Sequence, residues 1–133
     1  MTDPDAPIRV LVVDDQPPFR MAARLVLLRA EGFELAGEAA SGEESVDQVA
    51  ALRPDLVLMD INMGGIDGIE ATRRIVAGAP ATTIFLCSTY QLADLPAGAS
   101  TSGARAYINK EELAPELLRR LWETPPDEGV LHR

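Results

Sequence analysis

Five polar residues of this 133-residue chain stand where apolar runs end or directly after them. They are Asp14, Asp15, Asp60, Ser88 and Lys110. Three carboxylates brought together would repel one another and hold a raised pKa unless a cation is present, and Mg²⁺ prefers such hard oxygen ligands. A lysine opposite them is a point charge suited to a phosphoryl oxygen, and a serine hydroxyl can donate to another such oxygen. Because the set offers no base-activated serine or cysteine, its best nucleophile is an aspartate carboxylate, which can form an aspartyl-phosphate.

Simpler explanations exist for some of these residues. Asp15 could cap the helix that follows it. Asp60 precedes a glycine-rich turn and could be an ordinary polar residue of a loop. Lys110 is harder to explain in that way, because it is the only lysine among the 12 Lys and Arg residues of the chain. We expect Cys87 to be a small core residue of a strand and His132 to be solvated.

The elements that must position these residues alternate between strand and helix. We predict strands at residues 8–13, 33–39, 55–59, 83–87 and 104–108, with the second, less apolar strand nearer the sheet edge. The first helix begins at Pro17 and ends by Gly32, Ser41 opens the second with a capping box, and the last helix presents an apolar face from Leu113 to Leu121. This alternation predicts an α/β fold whose parallel sheet is covered by helices on both faces. In such sheets the functional site lies at the carboxyl ends of the strands, where the strand order switches.

Composition and charge narrow the classes of function. Hydrophobic residues make up 47% of the chain and charged residues 25%, which is typical of one globular domain. The formal net charge of -9 repels phosphate backbones and anionic lipids, so we expect no binding of nucleic acid or membrane by this domain alone. A single cysteine and a single histidine exclude a zinc site and an internal disulfide. The acidic N-terminus lacks the features of a signal peptide, and we predict a cytoplasmic protein.

Four motifs, in this order, resemble the receiver domain of bacterial two-component response regulators. They are Val12-Val-Asp-Asp15, Leu56-Val-Leu-Met-Asp-Ile-Asn-Met63 followed by Asp67-Gly68, Phe85-Leu-Cys-Ser88, and Gly103-Ala-Arg-Ala-Tyr-Ile-Asn-Lys110. The resemblance covers residues 8 to about 122. It implies a flavodoxin-like, doubly wound (βα)5 fold with a five-stranded parallel sheet in the order 2-1-3-4-5. It also implies a receiver domain at residues 1–123 and a C-terminal tail or truncated linker at 124–133.

The resemblance gives Asp60 the role of phosphoacceptor. Asp15 and Asp60 would bind Mg²⁺ directly, together with the backbone carbonyl of Asn62, and Mn²⁺ could substitute for Mg²⁺. Asp14 would act on the metal mainly through water. Lys110 would hold an oxygen of the phosphoryl group.

The resemblance also implies a switch and a control on its lifetime. Ser88 would hold a second phosphoryl oxygen, and Tyr107 would turn inward when Ser88 moves toward the phosphate. Asn62 and Tyr90 occupy the variable positions that tune how long the aspartyl-phosphate lasts.

The partners that the resemblance implies are a phosphoryl donor and a target. The donor would be the phosphohistidine of a sensor histidine kinase, or a small molecule such as acetyl phosphate. The domain would phosphorylate and dephosphorylate itself as a switch, which distinguishes it from a turnover enzyme. Phosphorylation would promote homodimerisation or partner binding through the face of the fourth helix, fifth strand and fifth helix. We expect contact with DNA only through an effector domain that these 133 residues do not include.

Two segments depart from the family pattern. Gly64 stands where the family usually has proline, which predicts a more mobile loop without loss of chemistry. Between Tyr90 and Gly103, where the family has its fourth helix, Pro96, Gly98 and a Ser/Thr cluster oppose helix formation. We expect this helix to be short or partly melted before phosphorylation, and its ordering to form part of the signal.

Several alternatives compete with this interpretation. An aspartyl-phosphate phosphatase of the haloacid-dehalogenase kind would have a second Asp two residues after its nucleophile, where Asn62 stands. A calcium loop is excluded because a strand precedes it and Glu70 falls one position short of the last ligand. A dinucleotide site would need a glycine-rich fingerprint after the first strand. A degenerate receiver, which binds partners without phosphorylation, would have lost an acid or the lysine. The sequence leaves two alternatives for how the domain acts. It is either the N-terminal part of a helix-turn-helix transcriptional regulator or a stand-alone receiver that docks on other proteins.

The clustering of three acids yields a prediction for the metal-free protein. We expect Asp60→Asn to raise the melting temperature at neutral pH without Mg²⁺, because it removes one of three like charges. Thermal unfolding in excess chelator measures this effect. An unchanged or lower melting temperature would contradict the clustering of the acids.

Overall fold

A five-stranded parallel sheet forms the centre of the computed structural model, which describes residues 6–125. Its strands are β1 (Ile8–Val13), β2 (Phe33–Ala39), β3 (Leu56–Asp60), β4 (Thr83–Ser88) and β5 (Ala106–Asn109). The strand order is β2-β1-β3-β4-β5, which confirms the predicted order and the edge position of the second strand. The fifth strand lies later than predicted, because Asn109 pairs with Ser88 in the ladder, while Ala104 still belongs to the turn after Gly103.

Four helices cover the two faces of this sheet. They are α1 (Pro17–Arg29), α2 (Gly42–Leu52), α3 (Gly68–Gly78) and α4 (Pro115–Glu123). Alternate residues of β1 divide between two cores: Val10 and Val12 pack with α1 and α4, whereas Leu11 and Val13 pack with α2 and α3. The strand is therefore buried on both sides, as expected for a central parallel strand. Across residues 6–125, none of these helices has the length and apolarity that crossing a bilayer requires.

The helix ends refine the predictions from sequence. Ser41 caps α2 as expected, since its hydroxyl accepts the amide of Glu44 at 3.0 Å. Asp15 does not cap α1, because the N-cap position belongs to Gln16 and Pro17 opens the first turn. The helix ends at Arg29, before Gly32, whose positive φ of 86° supplies the turn into β2.

The segment between β4 and β5 contains no α-helix within the described part of the chain. It has one 3-10 turn, Leu92–Asp94, followed by turns in which Gly98 and Gly103 adopt positive φ values of 91° and 102°. A right-handed helix excludes such values, so the structure has turns here where we expected a short or partly melted helix. The buried side chains of Ala99 and Ser102 hold the segment against the domain. Its ordering on phosphorylation stays a prediction. His132 and most of the predicted 124–133 tail lie outside the described residues.

The first residue of α3 touches the backbone of the residue that ends β3. A Cβ atom on Gly68 would lie 2.0 Å from the carbonyl oxygen of Asp60 and 2.9 Å from the Cα of Ile61. The amide of Gly68 donates to the Ile61 carbonyl at 2.8 Å, and Asp67 caps the helix through its side chain. Only glycine fits this contact, which fixes the loop after Asp60 against the end of the strand.

We expect Gly68→Ala to destabilise the protein by about 1–3 kcal/mol or more, because the added methyl group overlaps backbone that cannot move aside. Gly78→Ala is the matched control. It lies at the end of the same helix, a Cβ atom added there would meet nothing within 4 Å, and the change should be neutral or stabilising. Chemical denaturation of both variants measures the difference. Equal stabilities would contradict the close approach at Gly68.

Candidate functional site

Each polar atom of Asp14 has a hydrogen-bond partner. Its amide donates to Ala39 of β2 at 3.0 Å, and its carbonyl oxygen accepts from the Arg20 guanidinium at 2.7 Å. Its carboxylate accepts from the amide of Gln16 at 2.8 Å on one oxygen and from the Lys110 ammonium at 2.6 Å on the other. The side chain is fully buried. Asp14 is thus a fixed negative charge at the end of β1.

Lys110 joins the ends of β1, β3 and β5. Its Nζ lies 2.6 Å from Asp14 Oδ2 and 3.2 Å from Asp60 Oδ1, and it sits 4.6 Å from the centre of the Phe19 ring. Burial alone would lower the pKa of this ammonium, but its hydrogen bond to Asp14 and the charge of Asp60 outweigh burial, so the pKa is raised. The side chain is therefore a permanent cation facing the carboxylates.

Asp60 ends β3 with only 4% of its surface exposed. Burial and the negative charge of Asp14 raise the pKa of its carboxyl to about 6, against the opposing influence of Lys110. Oxygen atoms of Asp14, Asp15 and Asp60 lie within 4.8 Å of one another, and Asp15 is exposed to solvent. The structure thus brings together the three acids and the lysine that the sequence singled out. This set of hard oxygen donors fits a divalent cation.

Ser88 and Tyr107 are in direct contact. The Tyr107 hydroxyl lies 2.8 Å from Ser88 Oγ and 2.5 Å from the carbonyl oxygen of Tyr90, and the ring is buried. The ring is thus already turned inward here, whereas the resemblance implied that it turns inward when Ser88 moves toward the phosphate. We place the single hydroxyl hydrogen of Tyr107 on the nearer acceptor, Tyr90, so that Ser88 donates to Tyr107. Burial raises the pKa of the Tyr107 hydroxyl, which therefore stays protonated. The Tyr90 hydroxyl in turn donates to Asn62 Oδ1 at 3.4 Å, so the two residues expected to tune phosphate lifetime touch each other.

The glycine-rich loop after β3 is tethered from α2. Glu43 accepts the amide of Ile66 at 3.2 Å, and its carboxylate lies against Gly65. Gly65 has a positive φ of 76°, whereas a Cβ atom added to Gly64 would meet nothing within 4 Å. Position 65 therefore favours glycine because of its backbone conformation. A side chain at position 64 would overlap no other atom.

Two residues near the site were not predicted from the sequence. Cys87, which we predicted to be a core residue, is confirmed there. Phe19 was not singled out from the sequence, yet its ring faces Lys110. The position of Arg20 in the helical pattern did not indicate that its guanidinium donates a hydrogen bond to the Asp14 carbonyl. Cys87 is fully buried, and burial raises the pKa of its thiol to about 12, so it is an inert core residue.

Comparisons with known proteins agree with this geometry. The family model of the response regulator receiver domain matches residues 10–122. Response regulator GacA of Pseudomonas viridiflava is 35% identical over 114 residues, which cover 86% of this chain and 53% of GacA. A LuxR-family two-component response regulator from Aurantimonas sp. SI85-9A1 superposes with a TM-score of 0.81 at 29% identity, covering 94% of this chain and 90% of that structure.

A further solved structure has the extent of a single domain. The response regulator domain of Thermotoga maritima CheB superposes with a TM-score of 0.75 at 32% identity, covering 86% of this chain and 92% of that one. By contrast, the chain spans about half the length of the curated GacA relatives that it matches. The family match extends from the first buried residues of β1 into α4, so it includes every strand of the sheet and the whole acidic site. This chain therefore belongs to the response regulator receiver domain family.

Proposed function

We propose that this domain is a phosphorylation-controlled switch whose phosphoacceptor is Asp60. The observation that carries this proposal is the Lys110 ammonium, which lies 3.2 Å from Asp60 Oδ1 and is held by Asp14 on its other side. A nucleophilic carboxylate beside a fixed cation is the arrangement that phosphoryl transfer needs, because charge accumulates on the oxygens around phosphorus. The donor is the phosphohistidine of a sensor histidine kinase, or acetyl phosphate.

The transfer proceeds by attack of a carboxylate oxygen of Asp60 on phosphorus. The new P–O bond forms as the P–N bond of phosphohistidine or the P–O bond of acetyl phosphate breaks, and imidazole or acetate leaves. Lys110 and Ser88 hold oxygens of the transferred group. Hydrolysis reverses the modification: water attacks phosphorus, the bond to Asp60 breaks, and inorganic phosphate and the free carboxylate result. With a pKa of about 6, the Asp60 carboxylate is mostly ionised at neutral pH.

The cation that fits this acidic cluster is Mg²⁺, with Mn²⁺ as a substitute. Asp15, Asp60 and the backbone carbonyl of Asn62 would hold it directly. Both carboxylate oxygens of Asp14 already accept hydrogen bonds, which supports a contact through water for that residue. When bound, the metal supplies positive charge that offsets the acids and the incoming phosphoryl oxygens.

The switch that follows phosphorylation centres on Ser88. Its hydroxyl has a single hydrogen, placed above on the bond to the Tyr107 oxygen 2.8 Å away, so donation to a phosphoryl oxygen would replace that bond. Tyr107 also holds the Tyr90 carbonyl, where the irregular segment before β5 begins. A change at the phosphate is thereby passed to the surface formed by this segment, β5 and α4, where homodimerisation or partner binding takes place.

We place this activity in the cytoplasm, with residues 1–123 as the receiver and 124–133 as tail or linker. The likeness to a LuxR-family response regulator, together with coverage of about half of GacA, favours action within a longer transcriptional regulator. A stand-alone receiver that docks on protein partners is the second candidate, favoured by the likeness to the chemotaxis protein CheY4 of Vibrio cholerae, whose whole solved chain the match covers.

Incubation with acetyl phosphate and Mg²⁺, followed by intact mass measurement, tests the proposed chemistry. The wild type should gain the mass of one phosphoryl group, and chelator should abolish this gain. Asp60→Asn is the control that should gain nothing. Failure of the wild type to react with acetyl phosphate and also to bind beryllofluoride, a mimic of the phosphoryl group, would overturn the proposal.

The raised pKa of Asp60 predicts how stability depends on pH without metal. Between the ordinary value of 3.8 and the folded value of about 6, the folded protein binds more protons than the unfolded chain. Stability should therefore fall as pH rises through this window, by about 2–3 kcal/mol for this group. Denaturation curves in chelator from pH 4 to pH 7 measure the effect. Asp60→Asn should lose this part of the pH dependence, and Mg²⁺ should restore the stability of the wild type near pH 7. A wild-type curve parallel to that of the variant would contradict the prediction.

A further inference from the structure

We propose that Phe19 is a positioning residue for phosphoryl transfer, because its ring seats the Lys110 ammonium in the site. This inference rests on the function proposed above, in which Lys110 binds a phosphoryl oxygen. The ring does not touch the reacting atoms, and it acts only through the lysine.

Three groups surround the ammonium. Asp14 Oδ2 lies 2.6 Å from Nζ, Asp60 Oδ1 lies 3.2 Å from it, and the centre of the Phe19 ring lies 4.6 Å away. Only 15% of the lysine side chain is exposed, so the ring faces a largely desolvated cation. The face of an aromatic ring attracts a cation most strongly under such conditions.

The backbone of Phe19 is held in place, and its ring is half-buried. Phe19 lies in the first turn of α1, where Pro17 and Pro18 restrict the backbone and the Phe19 amide donates to the Gln16 carbonyl at 3.1 Å. The ring also packs against the hydrophobic core shared by α1 and α4. Phe19 thus connects the core of the domain to the charge at the end of β5.

The reaction changes one of the three groups and leaves the other two intact. Once Asp60 becomes an acyl phosphate, its carboxylate no longer offers a full negative charge to Nζ. Asp14 and Phe19 are unmodified, so they can keep the ammonium within reach of the new phosphoryl oxygens. A lysine side chain has four flexible methylene groups, and without the ring it would spend less time in this position.

Because Lys110 is the only lysine, its position can be observed directly. Labelling with ¹³C,¹⁵N-lysine gives one side-chain spin system by NMR. The ring of Phe19 should shift the Lys110 methylene protons nearest Nζ upfield, Phe19→Leu should remove this shift, and Phe19→Tyr should retain it. Phe33→Leu is the matched control, because Phe33 belongs to the same core while its ring lies 5.2 Å from the guanidinium of Arg119.

The second arm measures the initial rate of phosphorylation by acetyl phosphate. Phe19→Leu should lower the rate by about three- to tenfold, whereas Phe19→Tyr and Phe33→Leu should stay near the wild type. If Phe19→Leu does not fold, Phe19→Met takes its place with the same expectation. A wild-type rate in the folded Leu or Met variant overturns the inference, and so does an unshifted lysine signal in the wild type. A wild type that shows the ring-current shift but accepts no phosphoryl group counts instead against the proposed function.

Discussion

The ion pairs of Lys110 are the interaction on which the rest of the site depends. Asp14 is fully buried and Asp60 nearly so, and an unpaired carboxylate in either place would destabilise the fold. One ammonium serves both residues, so three carboxylates and one cation leave a formal excess of two negative charges at the sheet edge. This excess equals the charge of one divalent metal ion. The lysine thereby offsets one of the three negative charges and leaves two, which match the charge of a divalent cation.

The strand order places these groups together from distant parts of the chain. Asp14 follows β1 and Asp60 ends the adjacent β3, while Lys110 follows β5, two strands further along. The alternation of apolar runs and amphipathic helices was sufficient to predict the sheet, its buried central strands and the convergence of these side chains. The element ends were less predictable, because local hydrogen bonds decide them: Gln16 rather than Asp15 holds the N-cap of α1, and Asn109 extends β5 by pairing with Ser88.

The parts of the site that escaped prediction share a physical cause. Residue type and spacing indicate which face of a helix is buried, but they do not indicate what lies at the border of that face. Phe19 packs against the core and also contacts Lys110, which is 91 residues away in sequence. Arg20 reaches the backbone carbonyl of Asp14, an acceptor that every residue type offers equally. Such contacts depend on how α1 crosses the sheet. The spacing of apolar residues along a single sequence does not indicate that crossing.

The irregular segment between β4 and β5 lacks the internal support of a helix. A helix in this place would present a surface of fixed shape, maintained by its own ladder of backbone hydrogen bonds. Here one 3-10 turn and a series of glycine-containing turns take its place, held by backbone hydrogen bonds within the turns and by small buried side chains such as Ala99 and Ser102. Because the segment has no helical ladder, a change in the shape of this surface would not require a helix to unfold.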